Sequence, residues 1–245
     1  MADLRASAPL RFLAILPALD EEGSVASVIT EIRELDPRFE ILVVDDGSTD
    51  ATRELALAAG AHVVSLPFNL GIGAAVQAGF EYARRNDFDV AVQLDADGQH
   101  DPANLPALLE PVLSGEADVA VGTRFAAERH YRPSIARRIG IGMFARLVSL
   151  IVRQRVTDTT SGFRALNRRG IRLFAVDYPQ DYPEVEATVL ASRHGLRLTE
   201  VPVRMRYRVE GRSSITAARS VYYMVKVSLA LMIGLFRRYP ALEAR

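Results

Sequence analysis

The chain has 245 residues and no formal net charge, because 30 lysines and arginines balance 30 aspartates and glutamates. This length suits one large α/β domain or two small ones. The hydrophobic content of 49% is enough for a full core. Zero net charge argues against a general nucleic-acid-binding protein. Since there is no cysteine, disulfides, zinc–thiolate sites and thiol catalysis are excluded.

Apolar runs alternate with helical patterns through the first half of the chain. The predicted strands lie at residues 12–16, 41–44, 62–66, 90–94 and 117–121. The predicted helices lie at residues 24–35, 73–85 and 102–113. A further predicted helix is capped by residues 48–50 and ends at residue 59. Ser24 is a predicted cap as well. This alternation predicts an α/β fold with a mostly parallel, doubly wound sheet.

The regular alternation of predicted strands and helices ends after Gly122. A basic loop leads to an amphipathic helix at residues 139–152, then a turn-rich segment, a helix near residues 182–194 and a strand at 196–207. No repeat or low-complexity linker is visible. We therefore expect a single domain over residues 1–245, with C-terminal amphipathic helices.

Two apolar segments, residues 139–152 and 221–236, raise the question of a membrane. Each is shorter than the roughly 20 residues of a membrane span, and each contains a charge, Arg146 or Lys226. Flanking arginines favour helices that lie on an anionic membrane surface. Buried or dimer-forming helices explain the same pattern equally well. The N-terminus lacks the pattern of a secretory signal.

Two acids, Asp95 and Asp97, follow directly after the predicted fourth strand. Open α/β sheets gather their ligands at such strand ends, and alternate residues of a strand point to the same side. Two neighbouring carboxylates repel unless a positive charge lies beside them. Together with Gln99, they form a hard oxygen donor set that suits Mg²⁺ or Mn²⁺. An acidic turn that caps the next helix through Asp101 is the alternative.

The first two predicted strands end in acids at the same edge. Asp20 and Glu22 follow the first strand, and Asp45 and Asp46 end the second. Stability alone gives no reason to cluster these charges, whereas a bound cation with a polar ligand would supply one.

A glycine-containing loop, from Asn69 to Gly73, follows the third strand. Val76 stands where a dinucleotide fingerprint has its third glycine, so this loop is not that fingerprint. It still offers a flexible backbone near a helix N-terminus, which can approach a ligand closely.

Seven motifs occur in one order along the chain: P-A-L-D-E-E, V-V-D-D-G-S-T-D, N-L-G-I-G-A-A, L-D-A-D-G-Q-H, V-G-T-R, T-S-G-F-R and G-R-S-S. With them, residues 13–214 resemble the family-2 glycosyltransferases, in the dolichyl-phosphate mannose synthase-like branch that uses polyprenyl phosphates. The resemblance implies a GT-A fold, a UDP- or GDP-sugar donor, Mg²⁺ or Mn²⁺, and inversion at the anomeric carbon. It also implies a nucleotide-sugar half at about residues 10–123 and an acceptor- or membrane-facing half at about 124–245.

The resemblance also implies roles for matching positions. The metal ligands would be Asp97 and Gln99, and Arg124 would reach phosphate oxygens. The substrate-binding residues would be Pro17, Asp20, Glu22, Asp45, Asp46, Asn69, Gly71, Asp95, Ser161 and Arg212. Among these, Asp45 would hold the base and Asp46 would lie near the ribose. Asp20 stands where the family commonly has Asn.

An acid is also needed near the acceptor, because inversion requires a base for an attacking hydroxyl. Asp158 is the leading base or acceptor-orienting residue, and Glu184 and Glu186 are rivals. A phosphate acceptor is already anionic and would need little such help. The structural alternative for Asp158 is a helix cap or a salt bridge to Arg164.

Three arginines, Arg204, Arg206 and Arg208, alternate along the last predicted strand and share one face. Guanidinium groups bind phosphate in bidentate fashion, so this face suits a lipid phosphate or a diphosphate. A solvated outer face is equally compatible with the pattern.

Together with these observations, the resemblance implies an inverting, metal-dependent transfer of sugar to a polyprenyl (dolichyl-type) phosphate. The enzyme would act peripherally at the cytoplasmic membrane face, with a membrane partner subunit or as a homo-oligomer. One alternative is a soluble or cell-envelope polysaccharide acceptor, and another is a silent nucleotide-sugar-binding scaffold. A nucleotidyltransferase would need a glycine-rich loop after the first strand, and an NAD-dependent oxidoreductase would need the third glycine.

Overall fold

A computed structural model describes residues 9–124, 145–206, 226, 227 and 229. Among these residues, seven strands form one sheet: β1 (Phe12–Ala18), β2 (Phe39–Asp45), β3 (His62–Ser65), β4 (Val90–Gln93), β5 (Val119–Thr123), β6 (Arg164–Asn167) and β7 (Leu198–Pro202). The helices are α1 (Val25–Leu35), α2 (Thr52–Ala58), α3 (Ile72–Arg85), α4 (Leu105–Leu113), α5 (residues 145–152), α6 (Arg168–Val176) and α7 (Pro183–Arg193). A 3₁₀ turn, Pro102–Asn104, leads into α4.

The sheet has the strand order β3-β2-β1-β4-β6-β5-β7. All neighbouring strands are parallel except β6, which is antiparallel to both β4 and β5. The predicted α/β fold with a mostly parallel sheet is therefore confirmed.

Both faces of the sheet are covered by helices, as in a doubly wound fold. Phe12, Ala14 and Leu16 of β1 belong to a buried cluster with α1 and α4. The alternate residues Leu13 and Ile15 belong to a second cluster with α3, α6 and α7. Period-two alternation along a strand places its apolar residues on both faces. Long apolar runs such as β1 therefore bury themselves completely.

Two elements, β6 and α6, were not predicted from the sequence. β6 has only four residues, begins with Arg164 and pairs between two strands that are distant in the chain. α6 carries three arginines and Gly170 within nine residues. Neither element has the long periodic pattern on which a sequence-based assignment depends.

The caps of two helices differ from the prediction. Ser24 occupies the cap position of α1, but its hydroxyl contacts Glu21 instead of an α1 amide. α2 starts at Thr52, later than predicted, and Asp50 accepts a hydrogen bond from the Thr52 amide at 2.9 Å. Asp101 is a cap as predicted and accepts from the Ala103 amide.

The described parts of the two C-terminal apolar segments each contribute buried residues to one apolar cluster. Val148 of α5 and Val227 are fully buried in a cluster with Val185 and Val189 of α7. Leu150, on the other side of α5, is 77% exposed. None of the helices in the described part of the chain is long and apolar enough to cross a membrane. Residues 139–144 and most of 221–236 lie outside the described residues.

Candidate active site

Most of the sequence-predicted site residues meet at the carboxyl-end edge of β1, β2, β4 and β5. The parallel register places Ala18 beside Asp45, so the loops after β1 and β2 start at the same height. Pro17 is buried in β1, opposite Val44. The loop with Asp95 and Asp97 begins just after β4, which pairs with β1 on its other side. This edge is where open α/β sheets bind their ligands.

The loops after β1 and β2 are bonded to each other. The carboxylate of Glu22 accepts from the Ala51 amide at 3.0 Å, at the start of α2. The carboxylate of Asp20 accepts from the Thr49 amide at 2.8 Å. Asp20 has a left-handed backbone with φ of 53°, a conformation in which Asp and Asn are enriched. Both carboxylates therefore brace the rim of the predicted nucleotide pocket.

Asp45 and Asp46 are buried at the end of β2. Asp45 accepts from the Ser48 amide at 2.9 Å. Asp46 accepts from the amides of Leu70 and Gly71, at 2.7 and 2.9 Å. These bonds draw the loop after β3 against the end of β2. Asp46 thus holds the glycine loop, which was not foreseen, and its contact with a ribose stays a prediction.

Gly47 allows this close approach. Its φ is +78°, and a Cβ there would lie 2.8 Å from the backbone nitrogen of Asn69. Real Cβ atoms do not come that near, so only glycine fits between the two loops. Asn69 and Gly71 are consequently part of the same edge as Asp45, and their contact with a substrate stays a prediction.

Asp97 and Gln99, the predicted metal ligands, lie together. One carboxylate oxygen of Asp97 accepts from the Gln99 amide at 2.9 Å, and the other accepts from Gln99 Nε2. The side-chain oxygen of Gln99 is then the ligand atom that this residue offers. In the described part of the chain, no three His, Cys, Asp or Glu side chains form a metal cluster.

This sparse donor set fits a divalent cation of the Mg²⁺ type. Mg²⁺ is commonly held by one or two carboxylates, with water and substrate phosphates as the other ligands. Asp97 is buried, while the side chain of Asp95 is 39% exposed. The residues therefore fit a cation that is shared with a diphosphate, better than a cation caged by protein alone.

His100 braces this loop and was not predicted as a site residue. It is buried, and its Nδ1 accepts from the backbone amide of Asp95 at 2.9 Å. Its Nε2 lies 3.6 Å from the Asp95 carboxylate. Its ring stacks on Phe163, with centroids 4.9 Å apart. His100 is the last residue of the motif L-D-A-D-G-Q-H, and this position was the signal in the sequence that could have identified it as a site residue.

The segment after β7 is also bonded to the metal-ligand loop. The Arg206 amide donates to the Gln99 carbonyl at 2.9 Å. The Arg206 guanidinium pairs with Glu31 at 2.6 Å and with Asp101 at 2.8 Å. Because two carboxylates already bind the Arg206 guanidinium, the structure favours the alternative of a solvated outer face for this residue. Arg208 and Arg212 lie outside the described residues.

Arg124 and Asp158 form the other side of the site. β5 ends one residue before Arg124, so the strand delivers this guanidinium to the edge. The guanidinium is bidentate on Asp158, with Nε and Nη2 at 2.8 and 2.9 Å from the two carboxylate oxygens. The predicted alternative of a salt bridge from Asp158 to Arg164 is not made.

The environment of Asp158 favours the ionised form. Burial by itself raises the pKa of this carboxyl, but the hydrogen bonds and charge of Arg124 outweigh burial and hold the pKa below its usual value. A carboxylate bound in this way is a weak proton acceptor. The arrangement favours the orienting role for Asp158 over that of a general base.

Glu200 of β7 fixes the backbone at Asp158 and was missed by sequence reasoning. One of its carboxylate oxygens accepts from the amides of Thr157 and Asp158, at 2.7 and 3.0 Å. The other accepts from the Thr157 hydroxyl at 2.7 Å. The signal that could have identified Glu200 in the sequence is the presence of an acid within the apolar pattern of a predicted strand.

Glu184 and Ser161 are brought to the site by Arg164. This arginine is 1% exposed, and its Nε donates to the Ser161 carbonyl at 3.2 Å. Its Nη2 donates to the Glu184 carbonyl at the start of α7. Burial raises the pKa of the Glu184 carboxyl, with opposing effects from Arg164 and Arg124. Glu186 lies two residues further along the same helix.

A family model for glycosyl transferase family 2 matches residues 13–174, about two thirds of the chain. The chain belongs to this family, and it is therefore a glycosyltransferase. Its structural neighbours have the GT-A fold, as the resemblance implied.

Two relatives match most of the chain. The polyprenol monophosphomannose synthase of Mycolicibacterium smegmatis is 34% identical over 228 residues, which cover 89% of this chain and 86% of the relative. The undecaprenyl-phosphate mannosyltransferase of Micrococcus luteus is 31% identical over 245 residues, with coverages of 96% and 99%. Among solved structures, the glucosyl-3-phosphoglycerate synthase of Mycobacterium tuberculosis, in complex with Mn²⁺, UDP and glucosyl-3-phosphoglycerate, has a TM-score of 0.69 and 25% identity. The match covers 92% of this chain and 79% of that one.

Proposed function

We propose that this protein transfers a sugar from a UDP- or GDP-sugar to a polyprenyl phosphate, with inversion and with Mg²⁺ or Mn²⁺. The observation that carries the proposal is the pairing, at one sheet edge, of two oxygen donors with an anchored arginine. Asp97 and Gln99 lie on one side, and Arg124 on Asp158 lies on the other. The two relatives named for polyprenol and undecaprenyl phosphate support the choice of acceptor.

Asp97 and Gln99 would hold the cation. When bound, the cation offsets the negative charge that develops on the leaving nucleoside diphosphate. Asp95 lies beside them, and His100 fixes the backbone there. The Mn²⁺ and UDP in the neighbouring glucosyl-3-phosphoglycerate synthase structure support this use of the edge.

Arg124 would bind the diphosphate from the opposite side. Its guanidinium is oriented before any substrate arrives, because Asp158 holds it at two points. A charge fixed in advance toward the leaving group stabilises the transition state without reorganisation. Its side chain is 42% exposed, so it can still reach a ligand while it is bonded to Asp158.

The weak basicity of Asp158 supports an acceptor that is already anionic. A hydroxyl acceptor must lose a proton as it attacks, whereas a phosphate oxygen needs little such help. Attack from the face opposite the diphosphate would invert the anomeric carbon. The acceptor would enter along the half at about residues 124–245, and residues 10–123 would hold the donor.

We place this reaction at the cytoplasmic membrane face, with the enzyme bound peripherally. The acceptor of the proposed reaction is a membrane lipid, so the protein must bind at the bilayer surface. It would do so by itself, as a homo-oligomer, or through a membrane partner subunit. Exposed Leu150 on α5 supports a contact there.

The test is a panel of UDP- and GDP-sugars, assayed with Mg²⁺ or Mn²⁺ and with or without a short polyprenyl phosphate. The proposal predicts metal-dependent turnover that rises with the lipid. Metal-dependent donor binding with no rise in turnover on addition of the lipid would support a soluble or polysaccharide acceptor instead. Nucleotide-sugar binding without turnover on any acceptor would support the silent scaffold, and absence of any nucleotide-sugar binding would contradict the proposal.

A further inference from the structure

A buried arginine lies between the two sides of the site. Arg164 opens β6 and is in register with Gln93 of β4 and Val121 of β5. Asp95 follows Gln93 by two residues, and Arg124 follows Val121 by three. β6 lies between β4 and β5 and thus places Arg164 behind the gap between Asp95 and Arg124.

The bonds of Arg164 anchor the first turn of α7 at this gap. Nη2 donates to the carbonyl of Glu184 and, at 3.2 Å, to the hydroxyl of Thr188. The Thr188 hydroxyl donates in turn to the Glu184 carbonyl at 3.0 Å. Two polar groups, the Arg164 guanidinium and the Thr188 hydroxyl, therefore fix the backbone carbonyl of Glu184.

The Glu184 carboxyl is half-buried at the same place. The backbone of Glu184 is held at this gap by Arg164, and the charges of Arg164, Asp95 and Arg124 all act on the carboxyl. The carboxyl accepts a hydrogen bond from its own backbone amide, and within the described residues no other side chain forms a hydrogen bond with it. A carboxylate has about four acceptor positions, so this single bond leaves positions that a ligand can use.

The donor sugar is the polar group that the proposed reaction brings to this gap. If the donor diphosphate binds between the Asp97 loop and Arg124, the sugar attached to it would lie in the gap between Asp95 and Arg124. Resting on the proposed function, we infer that Glu184 binds a hydroxyl of the donor sugar and sets the sugar preference. Arg164 is its positioning residue and acts through the first turn of α7. A buried group that pairs with a hydroxyl discriminates strongly against sugars that lack it.

The direct test compares two ligands in the full-length protein with Mn²⁺. The dissociation constants of the preferred nucleotide sugar and of its nucleoside diphosphate are measured for the wild type and for Glu184→Gln. We expect nucleotide-sugar binding to weaken about tenfold, because the neutral amide of Gln accepts a weaker hydrogen bond than a carboxylate, while diphosphate binding changes less than about twofold. Glu116→Gln, an exposed acid at the far end of β5, is the matched control.

The positioning role is tested with Thr188→Val, which keeps the side-chain shape and removes both hydroxyl contacts. The quantity compared is the ratio of the dissociation constants of the nucleotide sugar and the nucleoside diphosphate. We expect Thr188→Val to change this ratio in the same direction as Glu184→Gln, but by less. The double variant should match Glu184→Gln alone, because coupled residues are not additive. Additive losses would contradict a role exerted through Glu184.

The possible failures are distinct. An unchanged ratio of the two affinities in Glu184→Gln, or an equal loss for both ligands, would overturn the inference while the proposed function stands. A wild type that binds no nucleotide sugar with metal present would overturn both.

Discussion

Arg124 and Asp158 are joined by two parallel hydrogen bonds of 2.8 and 2.9 Å across 34 residues of chain. The carboxylate is fully buried, whereas the guanidinium is 42% exposed. The buried partner therefore fixes the direction of the exposed one. This relationship connects the end of β5 with the loop before β6 and gives the site an oriented positive charge.

Arg124→Lys keeps the charge but cannot reproduce the two-point contact. If the guanidinium stabilises the leaving diphosphate, we expect kcat to fall by about 10²-fold, with a smaller change in donor affinity. Steady-state transfer kinetics measure this. Arg53→Lys, on the exposed surface of α2, should behave as wild type. An unchanged kcat in Arg124→Lys would remove Arg124 from the chemistry.

Asp158→Asn should lower kcat by about tenfold, because Arg124 loses the charge that orients it. Since the pKa of Asp158 is held below its usual value, the wild-type carboxylate stays ionised throughout the neutral range. The shape of the pH–rate profile should therefore be the same in both proteins. Loss of an acidic limb from the profile in Asp158→Asn would instead identify Asp158 as the base.

Asp97→Asn should abolish the effect of Mn²⁺ on nucleoside diphosphate binding, because an amide is a much poorer ligand for a hard cation. Titration calorimetry with and without Mn²⁺ measures this directly. The melting temperature should stay near that of the wild type, as it should for exposed Asp181→Asn. Metal-dependent binding that survives in Asp97→Asn would exclude this residue as a ligand.

His100→Phe separates the two contacts of His100. The ring can still stack on Phe163, but the Asp95 amide loses its acceptor, which costs about 1–3 kcal/mol when the group is buried. We expect lower stability in urea and weaker metal-dependent donor binding. His62→Phe, at an exposed position, is the control. Donor binding as tight as that of the wild type would show that His100 does not support the site.

Asp118 gives the fold a dependence on acid pH. Its buried carboxylate accepts from Arg197, Arg169 and Asn167. Burial raises the pKa of Asp118, but these bonds outweigh it and hold the pKa well below the usual value. The resulting stabilisation is complete above the pKa of the unfolded chain, near 4, and is lost as the pH falls toward the folded value.

Asp118→Asn should therefore lower the free energy of unfolding by about 2–3 kcal/mol at neutral pH, less than for a fully buried pair because both arginines are half-exposed. The difference from wild type should shrink as the pH falls below about 4. Urea unfolding across this pH range measures it. A constant difference would contradict the assigned ionisation. Exposed Asp181→Asn should match wild type throughout.

The sheet edge could be predicted because its signals are local. Each of the first four strands is an apolar run, and the acids or glycines follow it within a few residues. Once the strands are parallel, their loops must share one edge. Asp45, Asp95 and Asp97 came together for this reason, without any knowledge of side-chain contacts.

The supports of the site could not be predicted because they depend on partners far apart in sequence. Glu200 reaches Thr157 from β7, and Arg206 is bound by Glu31 across 175 residues. β6 forms a strand through its pairing with β4 and β5, and its own four residues carry no clear strand pattern. Such pairings are set by tertiary register, which local patterns do not record.

The most direct test of the central claim compares two acceptors that differ in one group. A short polyprenyl phosphate and the corresponding polyprenol are offered with the preferred nucleotide sugar and Mn²⁺, and labelled lipid product is counted. Because the site offers only a weak base at Asp158 and an alcohol must lose a proton as it attacks, we predict transfer to the phosphate and none to the alcohol. Equal transfer to both, or transfer to the alcohol alone, would contradict the proposed acceptor chemistry.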